Sequence, residues 1–273
     1  MAAAALPGCR ISVAIMIHAI RHGKGGKLLL IHGLGGSCRS WDPIVHALSA
    51  EREVIVIDLP GHGASPPEPD SGTFAGLVGS VQRFINESDL AGVDLVGSSM
   101  GARLVLELAR RGHSGNVIAL DPGGFWCGWE RSYFKVTIGA SVRLLRALRP
   151  ALSFLSRNAT SRTALLAQLS ARPWALDPDV VATELKCFAA TPMFDALVHD
   201  LAHGPEQEGL ADAPENRITI GWGRQDRLCL TRQAARAKSA FPTADLHWFD
   251  QCGHFPMWDQ PDKTTKLILA RTG

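Results

Sequence analysis

The 273 residues suffice for one large α/β domain carrying an insertion. Hydrophobic side chains make up 46% of them, enough for a continuous core, which excludes disordered and collagen-like chains. The formal net charge of +2 is too balanced to select nucleic acid as a partner.

The amino-terminal MAAAALPGC lacks the basic residues of a secretion signal. Leu6-Pro7-Gly8-Cys9 comes too early, with no normal hydrophobic run before it, to act as a lipoprotein cleavage box. The apolar run Ile11 to Ile20 is about half the length of a membrane helix, contains Ser12 and His18, and is expected to be a strand. No integral membrane segment is therefore expected. A glycine turn, His22 to Gly26, leads to a second strand, Lys27 to Ile31. Val54–Ile57, Val93–Val96 and Val117–Leu120 are short and apolar throughout, as strands buried on both faces should be. Arg217–Gly221 and Asp245–Phe249 complete the set. Helical patterns lie between them at Trp41–Ala50, Thr73–Asn86, Met100–Arg111, Thr231–Phe241 and Pro261–Ala270. This alternation predicts a mostly parallel sheet with helices on both faces.

One segment breaks the rhythm. Residues 123–213 carry helical patterns and no convincing strand, which predicts a helical cap inserted into a core formed by residues 1–122 and 214–273. Arg131 to Arg172 contains eight Lys/Arg and no acid, and the stretch that follows to Asp212 contains eight acids and one Lys. Arg143, Arg146 and Arg149 recur at helical spacing beside Val142, Leu144, Leu145 and Leu148. Such a stretch is expected to be a solvated face partly paired with the acidic half; its alternatives are contact with an anionic membrane or attraction of an anionic substrate. Six cysteines, at 9, 38, 127, 187, 229 and 252, form no C-x-x-C pair or zinc-like spacing, and are expected to be reduced thiols of a cytoplasmic protein.

Gly97-Ser98-Ser99-Met100-Gly101 follows the strand Val93–Val96 and opens a helix, the setting G-x-S-x-G requires. The central serine needs a tight, strained turn, and side chains two positions either side would collide there. The turn lifts the Ser99 hydroxyl clear of the sheet. The helix start at Met100 aims free N–H groups at the same point, where an oxyanion could form.

With these residues the chain resembles the α/β-hydrolase superfamily, in particular its capped serine esterases and C–C bond hydrolases. Four blocks carry the resemblance: His32-Gly33-Leu34-Gly35-Gly36 with Trp41, Asp58-Leu59-Pro60-Gly61-His62-Gly63-Ala64-Ser65, Gly97 to Gly101, and Gly253-His254-Phe255-Pro256. Gly223-Arg224-Gln225-Asp226 adds a fifth. The resemblance implies a sheet of about eight strands and a second oxyanion donor, the backbone N–H of Leu34, beside that of Met100. It also implies His254 as the base, in the loop after the last strand. His32 and His62, in tight turns, are expected to be structural. Asp226 follows the strand Arg217–Gly221 and would orient His254. Asp121, at the end of Val117–Leu120, is its rival, since some members of the superfamily place the acid there. The superfamily often has a proline soon after the acid; Leu228-Cys229-Leu230 stands here instead. Asp58 is expected to be structural.

The implied activity is hydrolysis of small to medium acyl esters by a Ser99-His254-Asp226 triad, with water as second substrate and neither metal nor organic cofactor. Hydrolysis of a C–C bond in ring-cleavage products, of a thioester or of a lactone uses the same machinery, and a ligand receptor on the same scaffold is the reading from a different class. Trp126, Trp129, Phe134, Phe188 and Phe194 are candidate substrate-contact residues, with Tyr133 and Met193 nearby. The oligomeric state leaves no mark in the sequence.

Overall fold

The computed structural model describes residues 17–214 and 217–273. The strands are β1 (Ala19–His22), β2 (Lys27–Ile31), β3 (Glu53–Ile57), β4 (Asp94–Ser98), β5 (Val117–Leu120), β6 (Ile218–Gly223) and β7 (Asp245–Phe249). They form one sheet in the order β1-β3-β2-β4-β5-β6-β7, with β1 antiparallel to β3 and every other pairing parallel. The described residues thus hold seven strands where about eight were expected. Residues 11–16 of the expected first strand lie outside them, as does Cys9.

The helices are α1 (Asp42–Ser49), α2 (Phe74–Glu87), α3 (Met100–Arg110), α4 (Glu130–Ala147), α5 (Leu152–Arg157), α6 (Ala159–Leu166), α7 (Pro178–Ala190), α8 (Phe194–His203), α9 (Arg232–Ala240), α10 (Pro256–Asp259) and α11 (Pro261–Arg271). The sheet is apolar on both faces, because its strands send alternate side chains to opposite sides. Leu29, Ile31, Ile55, Ile57 and Leu95 pack with α2, α3 and α9; Leu28, Leu30, Val54, Val56 and Val96 pack with α1 and α11. Local signals set the helix starts. Thr73 caps α2 by accepting from Gly76 N–H, and Asp177 caps α7 ahead of Pro178.

β2 lies between β3 and β4, so the chain leaves the tip of β2 toward one side and the tip of β4 toward the other. The crevice that this leaves at the carboxyl ends of parallel strands is where open α/β sheets take ligands. Between β5 and β6 the described chain is helical and strand-free, and α4 to α8 come from this stretch. Among the described residues no helix is long and apolar enough to cross a membrane, and Cys38, Cys127, Cys187, Cys229 and Cys252 are free thiols.

One contact fastening α7 to the sheet domain is unusual. Ser40 Oγ–H donates to Glu184 Oε2 (2.7 Å), while Oε1 is buried without a partner. Burial pushes the Glu184 carboxyl up to about 8, and the nearby Asp42 adds to the effect. The folded chain therefore holds a proton that the unfolded chain releases near its ordinary value of 4.5. Stability attributable to this site falls as pH rises from about 4.5 to 8 and is level outside that window. Glu184→Gln keeps the acceptor for Ser40 and removes the titration. It should raise the melting temperature by on the order of 5 °C at pH 7.5 and leave it unchanged at pH 4, as measured by paired calorimetric scans.

Candidate active site

The turn after β4 is fixed by steric exclusion. Ser99 has φ 56° and ψ −114°, a strained conformation for a residue with a side chain. A Cβ at Gly97 would lie 2.2 Å from Gly101 O, and one at Gly101 2.3 Å from Ile31 O, so neither position accepts a larger residue. Ser99 N–H donates to Leu120 O (2.9 Å), tying the elbow to β5. Ser98 points the other way: it is fully buried and its Oγ has no partner.

His254 follows β7 and Asp226 follows β6, so all three side chains converge from strand tips at the same end of the sheet. His254 Nε2 stands 2.8 Å from Ser99 Oγ, and Nδ1 2.8 Å from Asp226 Oδ2. Asp226 Oδ1 accepts the N–H groups of Leu228 (2.8 Å) and Cys229 (3.0 Å). The imidazole and the carboxylate are fully buried. In place of the proline that the superfamily often carries, two backbone donors hold the carboxylate.

The loop bearing His254 is held by Gln225, from the fifth block, and by Asp259, which the sequence did not single out. Gln225 Oε1 accepts Cys252 N–H, and Asp259 Oδ2 accepts both Gly253 N–H and Ala171 N–H, at 2.7 Å each. His254 N–H donates to Leu169 O (2.8 Å), so the helical segment between β5 and β6 also grips the loop. A Cβ at Gly253 would lie 2.8 Å from Leu169 O, which explains the glycine before the histidine.

Asp121 is present but differently placed. It is fully buried with φ 47°, accepts Gly223 N–H through Oδ1 (2.8 Å), and leaves Oδ2 without a partner. Burial, followed by the Asp226 carboxylate beside it, pushes its own carboxyl well above the usual range. Asp226 is the carboxyl in contact with His254.

Gly33 and Leu34 follow β2 and face the elbow. A Cβ on Gly33 would come within 3.0 Å of Ser99 Cβ. Leu34 and Met100 both border a small hollow beside Ser99, and Met100, as the first residue of α3, has no intrahelical acceptor for its N–H. His32 and His62 serve the loops. His32 Nε2 accepts Leu59 N–H (3.0 Å), and His62 Nδ1 meets Pro60 O (3.2 Å). Asp58 accepts Cys38 N–H and Ala64 N–H and pairs with His18 Nδ1 (2.9 Å).

Two His/Cys/Asp groups among the described residues have ligand atoms close enough to share a metal: His18 with Cys38 and Asp58, and Asp226 with Cys229 and His254. In both, the carboxylate is already engaged by backbone donors and by the imidazole.

A largely apolar cavity opens above Ser99 and His254. Phe134, Phe188 and Phe194 line it, as do Ile138, Val142 and Leu145 of α4, Leu165, Leu185 and Phe255. Besides the serine and the histidine, its polar lining is Ser141 and Gln168. Trp126 is buried against Phe134 and borders only the small hollow by Met100. Trp129 does not reach either space, which corrects the expectation that it contacts substrate. It is 57% exposed and packs under Arg232, because it precedes α4 on the outer side, over α9.

The profile of the alpha/beta hydrolase family matches residues 28–267. The chain belongs to this family. The dihydrolipoyllysine-residue acetyltransferase component of the acetoin cleaving system of Cupriavidus necator is 30% identical over 95% of the chain, which spans 67% of that protein's length. A 2-hydroxy-6-oxononadienedioate/2-hydroxy-6-oxononatrienedioate hydrolase of Cupriavidus pinatubonensis is 25% identical over 94% of the chain and 90% of its own. Among solved structures, a thermophilic esterase of Thermogutta terrifontis superposes with a TM-score of 0.73 at 20% identity, covering 93% of this chain and 92% of that one, a likeness of fold.

The two carboxyls are separable by experiment. Asp226→Asn should slow labelling of Ser99 by a fluorophosphonate by roughly 10⁴-fold, because the amide holds the wrong imidazole tautomer. Asp121→Asn keeps the acceptor for Gly223 and should leave the rate within about threefold, since Asp121 makes no hydrogen bond to His254 or Ser99. Mass spectrometry of the labelled peptide gives both rates.

Proposed function

We propose that this member of the hydrolase family cleaves carboxylic esters of small to medium acyl groups through an acyl-enzyme on Ser99. The observation that carries the reading is the continuous relay from Ser99 through His254 to Asp226, 2.8 Å at each step, under an apolar cavity. Ser99 Oγ attacks the acyl carbonyl as His254 Nε2 takes its proton. The N–H groups of Leu34 and Met100 receive the oxyanion, and one such donor contributes roughly 3–4 kcal/mol. His254 returns the proton to the departing alcohol oxygen. Water, deprotonated by the same nitrogen, then releases the acid and restores Ser99. Asp226 holds Nδ1–H in place and stabilises the imidazolium. Residues 123–213 act as the cap, and Phe134, Phe188 and Phe194 hold the acyl group.

The cavity lining argues against dicarboxylate substrates such as the dienedioate named for the Cupriavidus pinatubonensis relative. No lysine or arginine lines it, and a buried carboxylate without a cation is costly. A second reading is favoured by the acetyltransferase likeness at 30% identity. The same acyl-enzyme would pass its acyl group to a thiol instead of water, with His254 taking the thiol proton.

Turnover of p-nitrophenyl esters of increasing chain length tests the reading. Wild-type protein should hydrolyse them, and Ser99→Ala should lose at least ~10⁴-fold in kcat. Val142→Trp should move the optimum to shorter chains. Equal rates for wild type and Ser99→Ala would overturn the assignment. Added dithiol that diverts the acyl group to thioester faster than it is hydrolysed would favour the second reading.

A further inference from the structure

The outward face of α4 has no partner in the described protein. Phe134, Ile138, Ser141, Val142 and Leu145 line the cavity from this helix. Half a turn around, Val136, Ala140, Arg143, Leu144 and Ala147 form a second row at helical spacing, all of them exposed, Val136 to 66% and Leu144 to 52%. A surface helix ordinarily turns a polar face outward, whereas an apolar row on both sides implies a second apolar contact. The next helix adds Phe154, 77% exposed.

Charge around this row has one sign. No acid occurs between Arg131 and Arg172. Glu130, which opens α4, is buried and paired with Arg232 and Arg236, and the next acids sit toward α8, where Arg146 pairs with Asp195 and Arg131 with Glu206; Lys135 meets His203 there. Arg143 and Arg149 are exposed and form no ion pair among the described residues.

We propose that this face docks on an anionic lipid surface, Val136 and Leu144 entering the interface and Arg143 and Arg149 meeting lipid phosphates. Charge decides the occupant. A second copy of the chain packed on the same row would set Arg143 of each copy against a face with no acid. A negatively charged lipid surface satisfies both the apolar row and the arginines. The other side of α4 roofs the cavity over Ser99, so docking would bring that cavity next to the source of apolar substrates.

Co-sedimentation of the full chain with phosphatidylcholine vesicles, plain or doped with phosphatidylglycerol, tests this without reading turnover. Binding is expected to the doped vesicles only and to weaken with salt. Arg143→Ala and Arg149→Ala should each weaken it about fivefold, and Val136→Ser with Leu144→Ser about tenfold. None of the four residues lines the cavity, so hydrolysis of a soluble ester should be unchanged in each variant. No binding, equal binding to plain vesicles, or binding untouched by these substitutions would overturn the proposal. So would a dimer, seen by light scattering, that Leu144→Ser dissolves.

Discussion

The structure depends on one steric constraint, the backbone of Ser99 held at φ 56° between β4 and α3. Such a conformation costs on the order of 1–3 kcal/mol and persists only where the surroundings over-determine it. Here they do. Gly97 and Gly101 touch backbone atoms on both sides, Gly33 approaches Ser99 Cβ, and Leu120 O takes the serine N–H. These contacts come from β2, β4 and β5, which are neighbours in the sheet. The parallel strand order therefore creates the elbow, and the elbow sets where the tips of β6 and β7 must deliver Asp226 and His254.

This constraint explains why so much was legible in the sequence. Where backbone approaches backbone only glycine fits, so the glycines around Ser99 and before His254 are written into the chain as motifs. The buried strands were legible for a related reason, since both of their faces need apolar side chains. Helical packing in the insertion leaves no such mark. Which aromatic lines a cavity depends on the rotation of each helix, and Phe134 and Trp129, five residues apart, end on opposite sides. Asp259 and Glu184 were invisible because their partners are a backbone N–H near residue 170 and a serine in the first helical turn. No spacing announces contacts of that kind.

The two aspartates at neighbouring strand tips show how environment assigns roles to identical groups. Asp121 and Asp226 follow β5 and β6 and lie side by side, fully buried, where two negative charges would repel at low dielectric. The carboxyl with three partners, Leu228, Cys229 and His254, is the one that faces the imidazole. The one with a single donor, from Gly223, is pushed well above the usual carboxylate range, by burial first and then by Asp226 beside it. The sequence names both residues; only the donor count separates them.

The same reasoning applies to how the helical segment between β5 and β6 is attached. Near the His254 loop it is held by ionic hydrogen bonds: Asp259 grips Ala171 and Gly253, and Arg172 donates to Asp259 O. Breaking these would strand buried N–H groups and disturb the loop that carries the histidine. Over the cavity, α4 and α8 meet through an apolar cluster of Val142, Phe194 and Val198, with the Arg146–Asp195 ion pair and the Lys135–His203 contact at its edge. The segment is thus held to the floor by buried polar contacts to Asp259, and its own helices to each other by apolar packing with ion pairs at the surface.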